Sequence, residues 1–191
     1  MKKRIVVAVT GASGLKLGDY FLRKLAESKD YFDKIFVIVS KNAEYVAQSE
    51  GFNLDFDFYG KNFTLLSQND FAAPVASGSY PLDGMVIIPC SMSSLASIAT
   101  GVGVNLIHRV ADVCLKERRK LILVPRETPF SPIHLENMHK LSLAGAVIAP
   151  FVPSFYNKPE SIEDMLDFFS MRILDLLGIS LKDNRRWRVD E

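Results

Sequence analysis

A charged pair that could hold an anion and move a proton lies in the middle of the chain. Arg126 and Glu127 directly follow the apolar run 121–124 and stand between Pro125 and Pro129. The prolines fix φ on either side of the pair, which limits the movement of this loop. Such a run is typical of a strand buried on both faces of a parallel sheet, and ligands bind at the carboxyl ends of such strands. The alternative is a solvated pair in an ordinary strand-to-helix loop.

Hydroxyl side chains follow three other apolar runs. They are Ser13, Ser40 and the cluster Ser91, Ser93 and Ser94. A single Ser at such a position is commonly a helix N-cap, and this alternative holds for Ser40 in particular. Three groups at one edge of a sheet, however, predict a polar, planar and phosphorylated ligand that lies across the strand ends.

The first of these groups lies in a glycine turn, Gly-Ala-Ser-Gly at 11–14. Glycines let the backbone approach a phosphate closely, while the free N–H groups of the following helical turn and the Ser13 hydroxyl supply donors. The turn lacks the third glycine of the dinucleotide fingerprint and the Lys of a Walker loop. A simple tight turn is therefore the alternative.

These polar groups share an edge if the apolar runs are parallel strands. The predicted strands are 4–10, 34–39, 85–88, 121–124 and 146–149. Each is followed by a segment with helical spacing or a helix cap, and this alternation predicts an α/β domain with a parallel sheet. The aromatic segment 52–71 shows neither period, so it is expected to be irregular with one short strand.

Three further residues are candidates for contacts with a ligand or a neighbouring subunit. Tyr156 lies in the proline-bounded loop 150–159, and Arg172 lies at the margin of the apolar face of a final helix that stops at Gly178. Lys116 ends a helix with a polar face. A solvated, partly paired face explains Lys116 equally well.

The composition excludes several classes of function. With 191 residues, the chain is expected to form one domain, and a net charge of +1 argues against bulk nucleic-acid binding. Two cysteines are too few for a disulfide framework, and the three histidines show no metal-ligand spacing. The apolar runs are too short for a signal peptide or a membrane helix. These features predict a soluble cytoplasmic protein without a metal.

The domain is expected to span residues 1–180. The charged tail 181–191 contains Trp187, the only tryptophan of the chain. That residue predicts that the tail folds onto a neighbouring subunit rather than remaining disordered.

Nine short motifs together give the chain a family resemblance. They are GASG at 11–14, SK at 40–41, PCS at 89–91, ADV at 111–113, LKERR at 115–119, PRETP at 125–129, HLENM at 134–138, GAVI at 145–148 and FY at 155–156. In these motifs the sequence resembles the UbiX-type flavin prenyltransferases over nearly its whole length. The resemblance implies a three-layer α/β domain with a mostly parallel sheet, flavodoxin-like or Rossmann-like. It also implies a large homo-oligomer, expected to be a dodecamer, with active sites between subunits.

The resemblance further implies a reaction. Such enzymes attach a dimethylallyl group from dimethylallyl phosphate to reduced FMN and close a fourth ring between flavin N5 and C6. The prenylated flavin then serves a UbiD-type decarboxylase. The positions that match the family's FMN-binding residues are Gly11, Ala12, Ser13, Ser40, Ser91, Met92, Ser93, Ser94 and Arg126. Those that match its contacts with the prenyl phosphate are Tyr156, Arg172, Lys116, Arg126, Glu127 and Trp187.

Catalytic roles follow from the same resemblance. The catalytic set is Glu127, Glu50, Lys116 and Ser13. Glu127 is expected to manage protons on the departing phosphate, and Glu50 to take the proton lost from flavin C6. Basic residues and the Tyr156 hydroxyl could stabilise a monophosphate leaving group without a metal. Trp187 would shelter the allyl cation through cation–π attraction.

The chain departs from the family pattern just after the glycine turn. The family continues with a small residue and an aromatic, whereas this chain has Leu15, Lys16 and Leu17. The change was expected to affect the packing beneath the flavin or the prenyl pocket. Two alternatives to the prenyltransferase are an FMN-dependent cysteine decarboxylase, whose Pro-x-Met-Asn signature is not matched, and a non-catalytic flavin carrier.

Overall fold

In the part of the chain that the structure describes, six apolar runs form strands and six amphipathic or apolar segments form α-helices. The computed structural model describes residues 2–51 and 60–181. The strands are β1 (Lys3–Val9), β2 (Phe32–Val39), β3 (Phe63–Ser67), β4 (Gly84–Cys90), β5 (Lys120–Pro125) and β6 (Val147–Ile148). The helices are α1 (Leu15–Glu27), α2 (Lys41–Ser49), α3 (Met92–Thr100), α4 (Leu106–Lys116), α5 (Pro132–Leu143) and α6 (Ile162–Leu176).

The strands make one sheet in the order β3-β2-β1-β4-β5-β6. All five pairings within the described residues are parallel, so the sheet is fully parallel rather than mostly parallel. The strand order reverses between β1 and β4, as in doubly wound folds that bind a nucleotide at this switch point. The predicted α/β domain with three layers is confirmed.

Helices cover both faces of the sheet. On one face, α1, α2 and α6 pack against a core that contains Phe21, Ile35 and Ile173. On the other face, α3, α4 and α5 pack against a core that contains Ile87, Leu95 and Val110. All seven residues of β4 are buried, which explains why the central strands read as continuous apolar runs.

Side-chain caps fix where most helices begin. Ser40, Ser91, Asn105, Ser131 and Ser161 each accept a hydrogen bond from a backbone N–H in the first turn of the following helix. The pattern Ser-Ile-Glu-Asp at 161–164 is typical of a capping box, and the structure has one there. Such caps are local in sequence, and this is why sequence patterns predict them.

Two of the sequence predictions, the strand within 52–71 and the tail 181–191, concern segments that the structure describes only in part. The short strand expected within 52–71 is β3, while residues 52–59 lie outside the described part. Trp187 also lies outside it, as does nearly all of the tail that was assigned to residues 181–191. Across residues 2–51 and 60–181, no helix is long and apolar enough to cross a membrane, and no cluster of His, Cys, Asp or Glu could hold a metal.

One glycine allows α1 to lie against the end of β4. A Cβ atom added at Gly18 would come within 2.7 Å of the Ile88 carbonyl oxygen, far inside ordinary contact distance. Gly103 is different, because a Cβ there would meet no atom within 4 Å. Gly18 is therefore a glycine in close contact with backbone, and Gly103 can serve as a control without such a contact.

Replacing Gly18 with Ala should destabilise the fold. The clash with backbone should lower the free energy of unfolding by about 1–3 kcal/mol, even though Ala favours a helix. Gly103→Ala should change it by less than about 0.5 kcal/mol. Urea unfolding followed by circular dichroism measures both, and equal stabilities of the two variants would contradict the close approach.

Candidate active site

The carboxyl ends of four neighbouring strands lie side by side, and hydrogen bonds join the loops that follow them. The Ser40 N–H donates to the Val9 carbonyl at 2.9 Å, and the Arg126 N–H donates to the Cys90 carbonyl at 3.2 Å. Between these pairs, the backbone of Thr10 bonds to the end of β4. The residues that follow β2, β1, β4 and β5 thus lie along the crevice where the strand order reverses.

Three hydroxyls form a cluster after β4. The Ser91 Oγ lies 3.2 Å from the Ser93 Oγ and donates to the Ser94 Oγ at 3.1 Å. It also accepts from the Ser94 N–H at 3.3 Å, so Ser91 is the N-cap of α3. Ser93 is exposed and Met92 is half-buried, whereas Ser94 is nearly buried.

The glycine turn after β1 lies against the start of α2. A Cβ added at Gly11 would come within 2.5 Å of the Asn42 side chain, so only glycine fits at this position. Ala12 is buried, but Ser13 is exposed at the edge. Ser40 is indeed a helix cap, because its Oγ accepts from the Ala43 N–H at 3.1 Å. A capping hydroxyl still has a proton to donate, so this role is compatible with ligand binding.

Glu50 occupies the amino end of α1. One carboxylate oxygen accepts from the Gly14 N–H at 2.8 Å, and the other accepts from the Leu15 N–H at 3.2 Å. The expectation that these N–H groups are free for a phosphate is therefore wrong. Gly14 has φ 92 and offers no side-chain cap, so Glu50 replaces that cap from 36 residues away.

The surroundings of Glu50 keep its carboxyl group ionised. Partial burial acts to raise its pKa, but hydrogen bonds from the Ser13 side chain and the two N–H groups act against this, as does the charge of Arg126. The net result is a pKa below the ordinary value. Glu50 therefore lies beside the glycine turn, and the charge of Arg126 acts on it from the loop after β5.

The loop after β5 presents the charged pair at the same edge. Arg126 is exposed and Glu127 is half-buried. A Glu127 carboxylate oxygen accepts from the Thr128 N–H at 3.0 Å, which orients the side chain within its own loop. The pair therefore stands where a ligand in the crevice could reach it.

Tyr156 and Arg172 meet in a second place, beside the edge strand β6. Both line a cavity of about 410 Å³ whose other walls are mainly apolar, including Pro150 and Phe168. The Tyr156 ring packs edge-on against Phe168 with 5.7 Å between centroids. The side chain of Arg172 is 63% exposed and lies 3.8 Å from Asp175, so its guanidinium is accessible.

Within one chain, Lys116 lies neither at the crevice nor in the cavity beside β6. It ends α4, four residues before β5 begins, and therefore lies at the amino edge of the sheet. Arg126 follows the other end of β5, six residues of strand away, which is about 20 Å. Lys116 instead forms an ion pair with Glu117, close to Gly78.

Both cysteines are structural. Cys90 and Cys114 are buried, and burial raises the pKa of each thiol to about 12. A thiol with such a pKa is not a nucleophile near neutral pH.

The leucines that depart from the family pattern belong to the core. Leu15 and Leu17 are buried among the apolar residues beneath α1. Lys16 points outward and pairs with Glu163 of α6 at 2.8 Å. The two leucines that differ from the family pattern therefore pack between α1 and the sheet.

The arrangement defines a class of protein. A doubly wound domain with clustered hydroxyls, the amino ends of α2 and α3, and a guanidinium at its switch point suits a phosphorylated, planar cofactor. A bound flavin nucleotide fits this donor set, since the hydroxyls and Arg126 could hold its phosphate.

Comparison with known proteins identifies the family. The model of the Flavoprotein family matches residues 1–174. The flavin prenyltransferase UbiX of Methanocaldococcus jannaschii is 44% identical over 185 residues, which cover 96% of this chain and 98% of that protein. The chain therefore belongs to the flavoprotein family and, within it, to the UbiX-type flavin prenyltransferases.

Solved structures agree with this membership. A crystal structure of AnUbiX (PadA1) in complex with FMN and dimethylallyl pyrophosphate is 44% identical, with a TM-score of 0.86, and covers 98% of this chain and 100% of that one. A dodecameric, FMN-dependent UbiX-like decarboxylase from Escherichia coli O157:H7 is 40% identical, with a TM-score of 0.88, and covers 97% and 99%. The cysteine decarboxylase TvaF is only 16% identical, with a TM-score of 0.63, and shares the fold alone.

The position of Glu50 makes the stability of the apoprotein depend on pH. Because the folded-state pKa is lowered, the ionised carboxylate stabilises the fold above the ordinary pKa of about 4.3, and this contribution is lost as the pH falls through the lowered value. Glu50→Gln should cost about 1 kcal/mol at pH 7, since an amide has one acceptor oxygen and no charge at the helix terminus. The difference from wild type should shrink as the pH falls through the lowered folded-state pKa of Glu50.

Urea unfolding of both proteins between pH 3 and pH 7 measures this effect. Glu136→Gln on exposed α5 is the control and should change little. A Glu50→Gln effect that does not shrink at any pH down to acid unfolding would show that the charge of Glu50 is not responsible.

Proposed function

We propose that this chain transfers a dimethylallyl group from dimethylallyl phosphate to reduced FMN, forming bonds at flavin N5 and C6. The C–O bond of the donor breaks as the bond to N5 forms, and phosphate leaves while N5 loses its proton. The bond to C6 then forms as the double bond of the dimethylallyl group takes up one proton and C6 loses another. The prenylated flavin is then passed to a UbiD-type decarboxylase. The observation that carries the proposal is the convergence of three loops at the switch point of a UbiX-type domain. Glu50 bonds to the glycine turn at the Gly14 N–H, and the Ser91 and Arg126 loops bond to Thr10 and to the end of β4.

Reduced FMN supplies the nucleophile of this reaction, and the chain supplies binding and proton transfer. The hydroxyls after β1, β2 and β4 bind the cofactor along the sheet edge. Arg126 holds negative charge between the cofactor and the donor phosphate. Glu50 is ionised near neutral pH, as a base for the C6 proton must be.

Glu127 and the basic residues act on the leaving group. Glu127 gives or takes a proton on the departing phosphate, beside Arg126. Tyr156 and Arg172 bind that phosphate from the cavity next to β6, and the apolar walls of that cavity suit a dimethylallyl chain. Fixed cations placed where charge develops can replace a metal in this step.

The proposed site needs more than one copy of the chain. Lys116 lies at the amino ends of the strands and Arg126 at their carboxyl ends, so one subunit cannot bring both to one phosphate. We place Lys116 of one subunit at the crevice of another, within a homo-oligomer that we propose is a dodecamer. The dodecameric structure of a 40% identical relative supports such an assembly.

The reaction is tested by mass. The protein is mixed anaerobically with reduced FMN and dimethylallyl phosphate in the presence of a magnesium chelator, and the flavin is extracted. A gain of one five-carbon unit is the expected result. Parallel reactions with dimethylallyl diphosphate identify the donor, since one relative was crystallised with that compound. Unchanged FMN in every reaction, with folded and flavin-loaded protein, would refute the proposal.

Two substitutions should separate chemistry from folding. Arg126→Ala and Glu127→Gln should each lower the rate of prenyl transfer by roughly 100-fold or more, because each removes a group placed at the reacting phosphate. Both variants should unfold at the wild-type temperature. Lys140→Ala, an exposed cation on α5, is the control and should retain full activity. Wild-type rates in both site variants would overturn their assigned roles.

Mixed oligomers should restore activity if Lys116 acts across subunits. Lys116→Ala and Arg126→Ala are each expected to be inactive alone. Random co-assembly of the two should leave roughly one quarter of the sites with both intact residues, one from each type of subunit. The activity of co-expressed, doubly tagged oligomers measures this fraction. Activity no greater than that of the separate variants would place both residues in one subunit.

A further inference from the structure

Thr10 links the two turns that border the crevice. It follows β1 directly and is 1% exposed, so its side chain does not reach the surface of the site. Its Oγ1 donates to the Pro89 carbonyl at 2.9 Å and accepts from the Ser91 N–H at 2.8 Å. Its own carbonyl accepts from the Ala12 N–H at 2.8 Å. One buried residue therefore bonds to the glycine turn on one side and to the Ser91 turn on the other.

The bond to Ser91 affects more than one hydroxyl. The Ser91 Oγ contacts the hydroxyls of both Ser93 and Ser94, and it also caps α3. The position of the Ser91 backbone thus sets where all three hydroxyls point. Because the Thr10 hydroxyl is both donor and acceptor, it holds this turn by two bonds across the point where the strand order reverses.

We propose that Thr10 is a positioning residue for the flavin. Its hydroxyl holds the Ser91 turn at a fixed place relative to the Ser13 turn, so the cofactor-binding hydroxyls are arranged before the cofactor binds. This inference rests on the proposed function, since it takes the crevice to be the FMN site. Prior ordering of a site increases affinity because binding no longer has to order it.

Loss of the hydroxyl should weaken binding more than it weakens the fold. Thr10→Val keeps the shape of the side chain but leaves the Ser91 N–H without its acceptor, and a buried unpaired donor is costly. The turn should then shift to reach water or another acceptor. We expect the dissociation constant for FMN to rise roughly tenfold, the change produced by about 1.4 kcal/mol.

The experiment compares three full-length variants with the wild type. FMN is titrated into flavin-free protein, and the quenching of flavin fluorescence gives the dissociation constant. Thr10→Val should bind roughly tenfold more weakly, whereas Thr10→Ser, which keeps the hydroxyl, should stay within about threefold of wild type. Ser170→Ala is the matched control, because Ser170 is a buried hydroxyl that donates to the Leu166 carbonyl at 2.7 Å within α6. It should lower the unfolding temperature without changing FMN affinity.

The outcomes are distinguishable. Wild-type affinity in Thr10→Val would overturn the inference, as would equal weakening in Thr10→Val and Thr10→Ser. Equal weakening in Ser170→Ala would attribute the effect to general stability and would also overturn it. Should Thr10→Val fail to fold, Thr10→Cys replaces it, since a thiol is a much weaker hydrogen-bonding group. If wild-type protein does not bind FMN at all, it is the proposed function that fails.

Discussion

The reversal of strand order between β1 and β4 is the constraint on which the rest of the structure depends. The chain leaves these adjacent strands toward opposite faces of the sheet, so the helices that follow diverge and open a crevice at the carboxyl edge. Every bond across this opening must come from the loops themselves. The bonds of Thr10 to the Pro89 carbonyl and to the Ser91 N–H provide them.

The carboxylate of Glu50 changes how an anion can bind at this edge. The amino end of a helix ordinarily attracts a phosphate, but at α1 this place is held by a negatively charged side chain. A phosphate close to Glu50 would be repelled by it. The amino ends of α2 and α3, with Arg126, are then the favourable places for a phosphate. In the proposed reaction, Glu50 is then free to act as an ionised base toward the flavin.

The sequence allowed much of this architecture to be predicted, because strands, glycine turns and capping boxes are local patterns. The apolar runs gave five of the six strands, and Ser161 gave the start of α6. The contacts of Glu50 and Thr10 could not be predicted in the same way. Glu50 lies 36 residues from Gly14, and Thr10 lies 81 residues from Ser91, so neither pair forms a pattern. A Thr that ends a β-branched run before a glycine turn is the only local signal for Thr10.

Lys116 shows why a list of candidate residues is not yet a site. Its helix runs antiparallel to the strands, so the last turn of that helix lies at the amino ends of the strands. Every residue that follows a strand lies at the carboxyl ends, on the other side of the sheet's length. No rotamer of a lysine covers the length of β5, about 20 Å. A domain of this topology can place Lys116 and Arg126 on one phosphate only where the amino edge of one copy meets the carboxyl edge of another. If both residues act on one phosphate, as we propose, assembly is part of the catalytic geometry, because the two ends of a single strand cannot meet.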